Sequence, residues 1–370
     1  MTLSPDFQHL MAEATRLTQA GDLQGATAAI QQAMGLGAPP DPIRAKQAAA
    51  ADARTIDVTA RMVAEPGSEP VQAEPARADA LKAQKSAAAH SQFIAGSFAT
   101  KTGARDYKLF IPAGTGQPPR PLLVMLHGCT QTPDDFAAGT AMNQLAQARG
   151  CYVLYPEQSS QANPQRCWNW FKHSHQQRGR GEPALLAGMT RQVMAQHPID
   201  PHRVYVAGLS AGGAMAAILG DTYPDLFAAV GVHSGLGAGA AADLPSAMAA
   251  MQGRGRPLPP GEEHLPTIVF HGDADATVHP VNGEQLAASR AGSSVAPEVQ
   301  LRQHPGGRNS TRSVHRDGAG RVRAEHWVVH GAAHAWSGGS ARGSFTDASG
   351  PDASAEMLRF FLEHPRRVAG

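Results

Sequence analysis

The sequence predicts an α/β fold, in which a mostly parallel central sheet is covered by helices on both faces. Ahead of it stand a helical hairpin and a flexible linker. Three observations lead to this. From residue 92 onward, short apolar runs alternate with helical stretches, the pattern of a parallel sheet buried on both sides. Several of those runs end in a glycine beside a histidine, serine or aspartate. Apolar residues make up 42% of the 370, enough for a sizeable core.

The first element is helical. Phe7, Leu10, Met11, Ala14 and Leu17 recur at helical spacing, as do Leu23, Ala26, Ala29, Ile30 and Ala33, with Gly21-Asp22 breaking the two apart. The pair looks like one tetratricopeptide-type hairpin over residues 1–34. A single such unit cannot bury its own apolar face. It is expected to dock, to hold a partner, or to form a homo-oligomer. Residues 35–91 are rich in Ala, Pro, Glu and Gln and almost without aromatics, and they read as a flexible linker. Residues 92–370 are assigned to the main domain.

Within that domain, "FIAGSFATKTGARDYKLFIP" reads as a hairpin turning at Lys101-Thr102-Gly103. Strands are expected at 122–126, 151–155, 204–208, 228–232, 267–270 and 326–329. A helix is expected from Ala211 to Leu219, and a second hairpin turns at Asp317-Gly318. The loop 172–183 is read as a rim and residues 236–262 as a cap.

Some functions are disfavoured at the outset. The net charge of +1 shows no excess of basic residues for nucleic acid or an anionic membrane. No stretch reaches the roughly 20 consecutive apolar residues of a membrane span. The start "MTLSPDFQHLMAEATRL" lacks a basic segment followed by an apolar one, so the default expectation is a cytoplasmic protein, or a secreted one whose leader has been removed. Cys129, Cys151 and Cys167 form no C-x-x-C pair. His326, His330 and His334 have helical spacing, but the intervening "WVV" is strand-like and would scatter them, so no metal and no cofactor are expected.

The chemistry gathers at strand ends. "LLVML" is followed by "HGCTQ", "VYVA" by "GLSAGG", "TIVF" by "HGDAD", and "HWVV" by "HGAAHAW". In open parallel sheets, sites lie at the carboxyl ends of the strands. G-x-S-x-G between a strand and a helix presents a serine on a sharp turn, and its neighbours must be small. Ser210 fits, with Gly208 and Gly212 flanking it. An acid and then His334 follow, the chain order Ser, Asp, His of the α/β-hydrolase triad. The Ala211 N–H at the helix start is one expected oxyanion donor and the Cys129 N–H the other. His127 reads as a buried structural histidine bracing its loop, and His326 and His330 also read as structural.

Here the chain resembles a known family. "HGCTQ", "CWNWF", "RVYVAGLSAGGAMA", "FAAVGVHSG", "HGDADATVHPVN" and "GAAHAWSGG" are similar to polyhydroxybutyrate depolymerases and to feruloyl and acetylxylan esterases. The likeness runs over residues 92–364 and implies an α/β-hydrolase fold. The N-terminal hairpin and linker also resemble those of intracellular bacterial members. The family's H-G-x-x-D pattern selects Asp275 over Asp273 as the acid that orients His334. The resemblance also implies that Cys129 and Cys167 pair, which would pin the "CWNWF" loop beside the oxyanion loop. A disulfide is unusual in a reducing cytosol, so this expectation pulls against the location. Cys151 is read as a small buried hydrophobe. Trp168, Trp170 and Trp336 are expected to wall the acyl part of the substrate, although core packing competes for one or two of the group formed by Trp168, Trp170 and Phe171.

The function expected is a serine carboxylic ester hydrolase working through an acyl-enzyme at Ser210. Its substrate would be a small or oligomeric ester of the 3-hydroxybutyrate kind, with feruloyl or acetylxylan esters as the alternative. A non-catalytic hydrolase-fold scaffold is disfavoured because all three triad positions are filled.

Overall fold

The computed structural model describes residues 90–100, 103–114, 118–258, 264–291 and 295–366. The expected hairpin at 1–34, almost all of the linker at 35–91, and any oligomer contact through them lie outside these residues.

The described chain opens with two antiparallel strands, β1 (Gln92–Thr100) and β2 (Gly103–Ile111), paired so that Thr100 stands opposite Gly103. Then come β3 (Arg120–Leu126), helices α1 (Pro133–Thr140) and α2 (Met142–Arg149), and β4 (Tyr152–Pro156). After a short 3₁₀ turn (His173–Gln176) follow α3 (Gly181–Gln196), β5 (Ile199–Leu209), α4 (Ala211–Thr222) and β6 (Ala229–His233). The chain continues through α5 (Leu244–Ala249), β7 (Thr267–Gly272), α6 (Val281–Ala291), β8 (Glu298–Arg302), β9 (Ser310–Arg316) and β10 (Val322–Val329). The last helix is α7 (Ala353–Glu363).

These strands form one ten-stranded sheet in the order β1-β2-β4-β3-β5-β6-β7-β10-β9-β8. Neighbours from β4 through β10 are parallel, and two antiparallel strands finish each edge. This is the α/β-hydrolase arrangement that the sequence predicts. Strand β8 has no counterpart among the expected strands.

The apolar runs are explained by two cores, one on each face. Leu122, Val124 and Leu126 of β3 point into a core with Leu186 and Met189 of α3 and Met215 and Leu219 of α4. Leu123 and Met125 point into the other, with Phe136 of α1 and Phe360 and Phe361 of α7. Side chains alternate across a strand, so a strand buried on both faces must be apolar at every position. Helix starts are set locally. The Thr132 side chain accepts the Asp135 N–H at 3.2 Å with Pro133 in the first turn, and the Asp352 carboxylate accepts the Ala355 N–H at 2.9 Å.

The chain order turns back at β3: β4 lies on one side of it and β5 on the other, with Leu126 opposite Gly208. Such a switch opens a crevice at the carboxyl ends. Both "HGC" and "GLSAGG" emerge there.

Candidate active site

Ser210 sits between β5 and α4 with φ 57° and ψ −120°. Few non-glycine residues adopt positive φ, and those that do concentrate at functional sites. The flanking glycines are needed for space. A Cβ on Gly208 would collide with the Gly212 carbonyl, and one on Gly212 with the carbonyls of Leu126 and His127. Helix α4 therefore seats directly on the end of β3. The Ser210 N–H donates to the His233 carbonyl at 2.9 Å, and the Ser210 carbonyl accepts the Ala214 N–H at 2.9 Å. The half-buried hydroxyl is left at the head of the helix.

The loop after β3 lies alongside. The Gln131 amide holds it: its Oε1 accepts the Gly128 N–H at 2.9 Å, and its Nε2 donates to Asp135 at 2.8 Å and to the Ser344 carbonyl at 3.1 Å. His127 is buried. Its Nε2 accepts the Gln158 N–H at 3.1 Å, so the proton is on Nδ1, 2.7 Å from the Gly128 carbonyl. Burial above all lowers its pKa to about 4, which suits a brace rather than a proton carrier. Cys129 and Cys167 are joined as a disulfide, with sulfur atoms 2.01 Å apart. Among the described residues, the N–H groups of Cys129 and Ala211 have no protein acceptor.

His334, on the loop after β10, places its Nδ1 2.7 Å from Asp275 Oδ2. Asp275, after β7, is buried, and its Oδ1 accepts the N–H groups of Thr277 at 2.9 Å and Val278 at 2.8 Å. His271 Nε2 lies 3.4 Å from Oδ2 and 2.8 Å from the Val278 carbonyl. Burial alone would raise the Asp275 pKa. The donors from His271, His334 and Val278 overrule it and hold the carboxyl far below the usual range. Asp273 is engaged elsewhere: it takes His330 Nδ1 at 2.9 Å and the Gly331 N–H at 2.6 Å. His334 thus pairs with Asp275, and His330 with Asp273.

Two expected wall residues are corrected. Trp168 is wholly buried, and its Nε1–H donates to the His127 carbonyl at 3.1 Å. Trp336 is 1% exposed, stacks on His233 at 5.1 Å, and donates to Ser354 at 3.0 Å. Neither offers a free face to a substrate. An indole N–H needs a partner when buried, and each has one inside the core. Trp170 is nearly as buried and packs edge-on against Phe171 at 5.9 Å, leaving the half-buried Phe171 as the open member of that group.

Sequence reasoning missed three supporting residues. Buried Glu182 accepts from Asn169 N–H and Nδ2 at 2.7 Å each and from Gln158 at 2.6 Å, fixing the "CWNWF" loop. His271 lay inside the "HGDAD" motif but served there only as its first letter. His233 ends β6 directly opposite Leu209, and its Nε2 accepts the Ser337 N–H at 2.9 Å. Burial, then the nearby His271 and His334, lower its pKa to about 3. Only its place one residue before the Ser-Gly of "VHSG" could have marked it.

A family model described as esterase PHB depolymerase matches residues 105–292, just over half of the chain. Poly(3-hydroxyalkanoate) depolymerase C of Paucimonas lemoignei is 34% identical over 207 residues, 50% of this chain and 48% of that protein. Poly(3-hydroxybutyrate) depolymerase of Ralstonia pickettii is 30% identical over 243 residues, 60% and 49% of the two chains. The chain thus spans about half the length of these two relatives. Acetylxylan esterase A of Aspergillus oryzae is 28% identical over 204 residues, 50% and 65% of the two. Among solved structures, an acetyl xylan esterase from Aspergillus awamori superposes with a TM-score of 0.55 at 21% identity, covering 66% of this chain and 93% of its own, a likeness of fold.

Proposed function

Because the chain belongs to the esterase PHB depolymerase family, we propose that it is a serine carboxylic ester hydrolase with Ser210 as nucleophile, His334 as base and Asp275 as orienting acid. The observation that carries this is the 2.7 Å contact between His334 Nδ1 and Asp275 Oδ2, made after the adjacent strands β10 and β7, in the same parallel sheet whose strand β5 leads into the Ser210 turn.

The carboxylate keeps the imidazole proton on Nδ1, which leaves Nε2 free to accept. His334 takes the Ser210 hydroxyl proton as Oγ attacks the ester carbonyl carbon. The carbonyl oxygen becomes an oxyanion, met by the N–H groups of Cys129 and Ala211 and by the positive end of α4. His334 then gives its proton to the departing alkoxide, and the alcohol leaves an acyl-Ser210. Water, deprotonated by His334, attacks the acyl carbon. Collapse releases the acid and returns the proton to Ser210. Asp275, its four contacts in place, stays ionised throughout.

The substrate class is a short hydroxyalkanoate ester of the 3-hydroxybutyrate type, supported by the two depolymerase relatives. Acetyl esters are the second reading, supported by the acetylxylan esterase A relative. The test is intact-mass analysis after an alkyl fluorophosphonate, followed by a panel of 3-hydroxybutyrate oligomers and acetyl and feruloyl esters. One adduct should form, and Ser210→Ala should abolish it and lower kcat roughly 10⁴- to 10⁶-fold. An adduct that persists in Ser210→Ala would remove Ser210 from this role.

A further inference from the structure

We propose that β8 is a self-pairing edge: two copies of the chain join through it in antiparallel register about Gln300, extending the sheet across a dimer.

Among the described residues, β8 pairs only with β9, so its outer row of N–H and C=O groups faces away from the sheet. Open edges invite pairing with another strand, and proteins commonly guard them with charges or proline. This edge is unguarded in the middle. Val299 is 61% exposed and Leu301 64%, two of the few large apolar side chains left open on the described surface. They lie two residues apart, on one face of the strand.

The sequence "EVQLR" fits a copy of itself. In antiparallel pairing centred on Gln300, Val299 of one copy stands opposite Leu301 of the other, and Glu298 opposite Arg302, each twice. The charges that would repel an unrelated strand are here matched. Opposite-charge and apolar pairs both stabilise directly facing positions, and like charges there destabilise. A slip by one residue would turn the valine and leucine to the opposite face, so the register is specified. Glu298 Oε1 accepts from Gln300 Nε2 at 2.6 Å, while its Oε2 lies only loosely against Arg316, at 4.0 Å, and can take a closer cation. The occupant that best complements this edge is therefore a second copy.

The background chemistry makes a sharp test possible. Cys129 and Cys167 are bonded to each other and Cys151 is buried, so the described surface carries no competing thiol. On the two-fold axis, residue 300 faces its own counterpart, with Cα atoms about 4.5 to 5.5 Å apart. That separation is within disulfide range. In the 370-residue chain, Gln300→Cys should form a reducible covalent dimer under mild oxidation. Analytical ultracentrifugation of the unmodified chain should show a dimer. Glu298→Arg should raise its dissociation constant at least tenfold, and Glu298→Arg combined with Arg302→Glu should restore it. Circular dichroism and ester hydrolysis report whether each variant is folded. A monomer at 100 µM would overturn the proposal. So would a dimer indifferent to Glu298→Arg with no Gln300→Cys cross-link, which would place the contact elsewhere, for example in residues 1–34.

Discussion

His233 Nε2 accepts the Ser337 N–H at 2.9 Å, while the carbonyl of the same residue accepts the Ser210 N–H at 2.9 Å. One buried residue on β6 therefore ties the Ser210 turn to the loop carrying His334. Its ring is clamped between Trp336 and Phe270, and the Ser337 N–H requires Nε2 to be unprotonated. His233→Phe would keep the stack but orphan a buried N–H, a loss of about 1–3 kcal/mol. Displacing His334 by a fraction of an ångström lowers kcat, and a 10- to 100-fold fall with little change in KM is expected. His233→Gln, which can restore an acceptor, should recover part of it. If His233 acts through His334, a double-mutant cycle with Asp275→Asn will be non-additive. Additive losses would mean that His233 serves packing alone.

The two aspartates should separate cleanly. Asp275→Asn removes the acceptor that holds the His334 proton on Nδ1, and a loss of roughly 10³ to 10⁴ in kcat is expected. Asp273→Asn disturbs a half-exposed contact with His330 and should cost less than tenfold. Steady-state kinetics on a soluble ester decides it, and the reverse ranking would give the acid role to Asp273.

The sheet was legible because its strands are buried on both faces and so write uninterrupted apolar runs. Ser210, Asp275 and His334 were legible because each follows such a run in a motif with small neighbours. Strand β8 was not: "EVQLR" lies at an edge, mixes charge with apolar residues, and carries no buried face to signal it. Trp168 and Trp336 misled because aromatic clusters near site motifs look alike whether they face a cleft or the core. Only the indole donors to His127 and Ser354 show which they are. His233 went unread because the hydrogen bonds that tie it to Ser210 and Ser337 run to their main-chain N–H groups, which no side-chain pattern encodes.

Acid should unfold the protein earlier than its carboxylates alone would dictate. His127, His233 and His326 are buried, with pKa values lowered to about 4, 3 and 3. An unfolded histidine titrates near 6.5. Between 6.5 and these lowered values the unfolded chain binds more protons than the folded one. Stability therefore falls as pH drops below about 6.5, by roughly 2 kcal/mol per histidine by pH 5. Asp275 adds to the loss only near and below pH 4, where its unfolded form begins to protonate. Calorimetry should show Tm declining steadily from pH 7 to pH 5, less steeply in His233→Phe. A flat Tm over that range would contradict the account.

The Cys129–Cys167 bond spans 38 residues of sequence and joins the loop after β3 to "CWNWF". Closing a loop of that length restricts the unfolded chain by roughly 3 to 4 kcal/mol in the entropy model. Cys151 lies apart, buried under α2, with its thiol pKa pushed up to about 12 by burial. Alkylation under denaturing, non-reducing conditions should therefore label one thiol, Cys151, and mass spectrometry should find the Cys129 and Cys167 peptides linked. Reduction should lower Tm by several degrees. Its effect on activity follows from what else holds the two loops. Glu182 still fixes Asn169, and Gln131 still fixes Gly128, so neither loop should unravel. Freed of the bond, the Cys129 N–H shifts relative to the developing oxyanion, and kcat should fall more than KM rises. Three labelled thiols in the untreated protein would remove the bridge, and the two loops would then be joined by hydrogen bonds such as Thr130 N–H to the Gln165 carbonyl and the Trp168 indole to the His127 carbonyl, beside the Glu182 and Gln131 contacts.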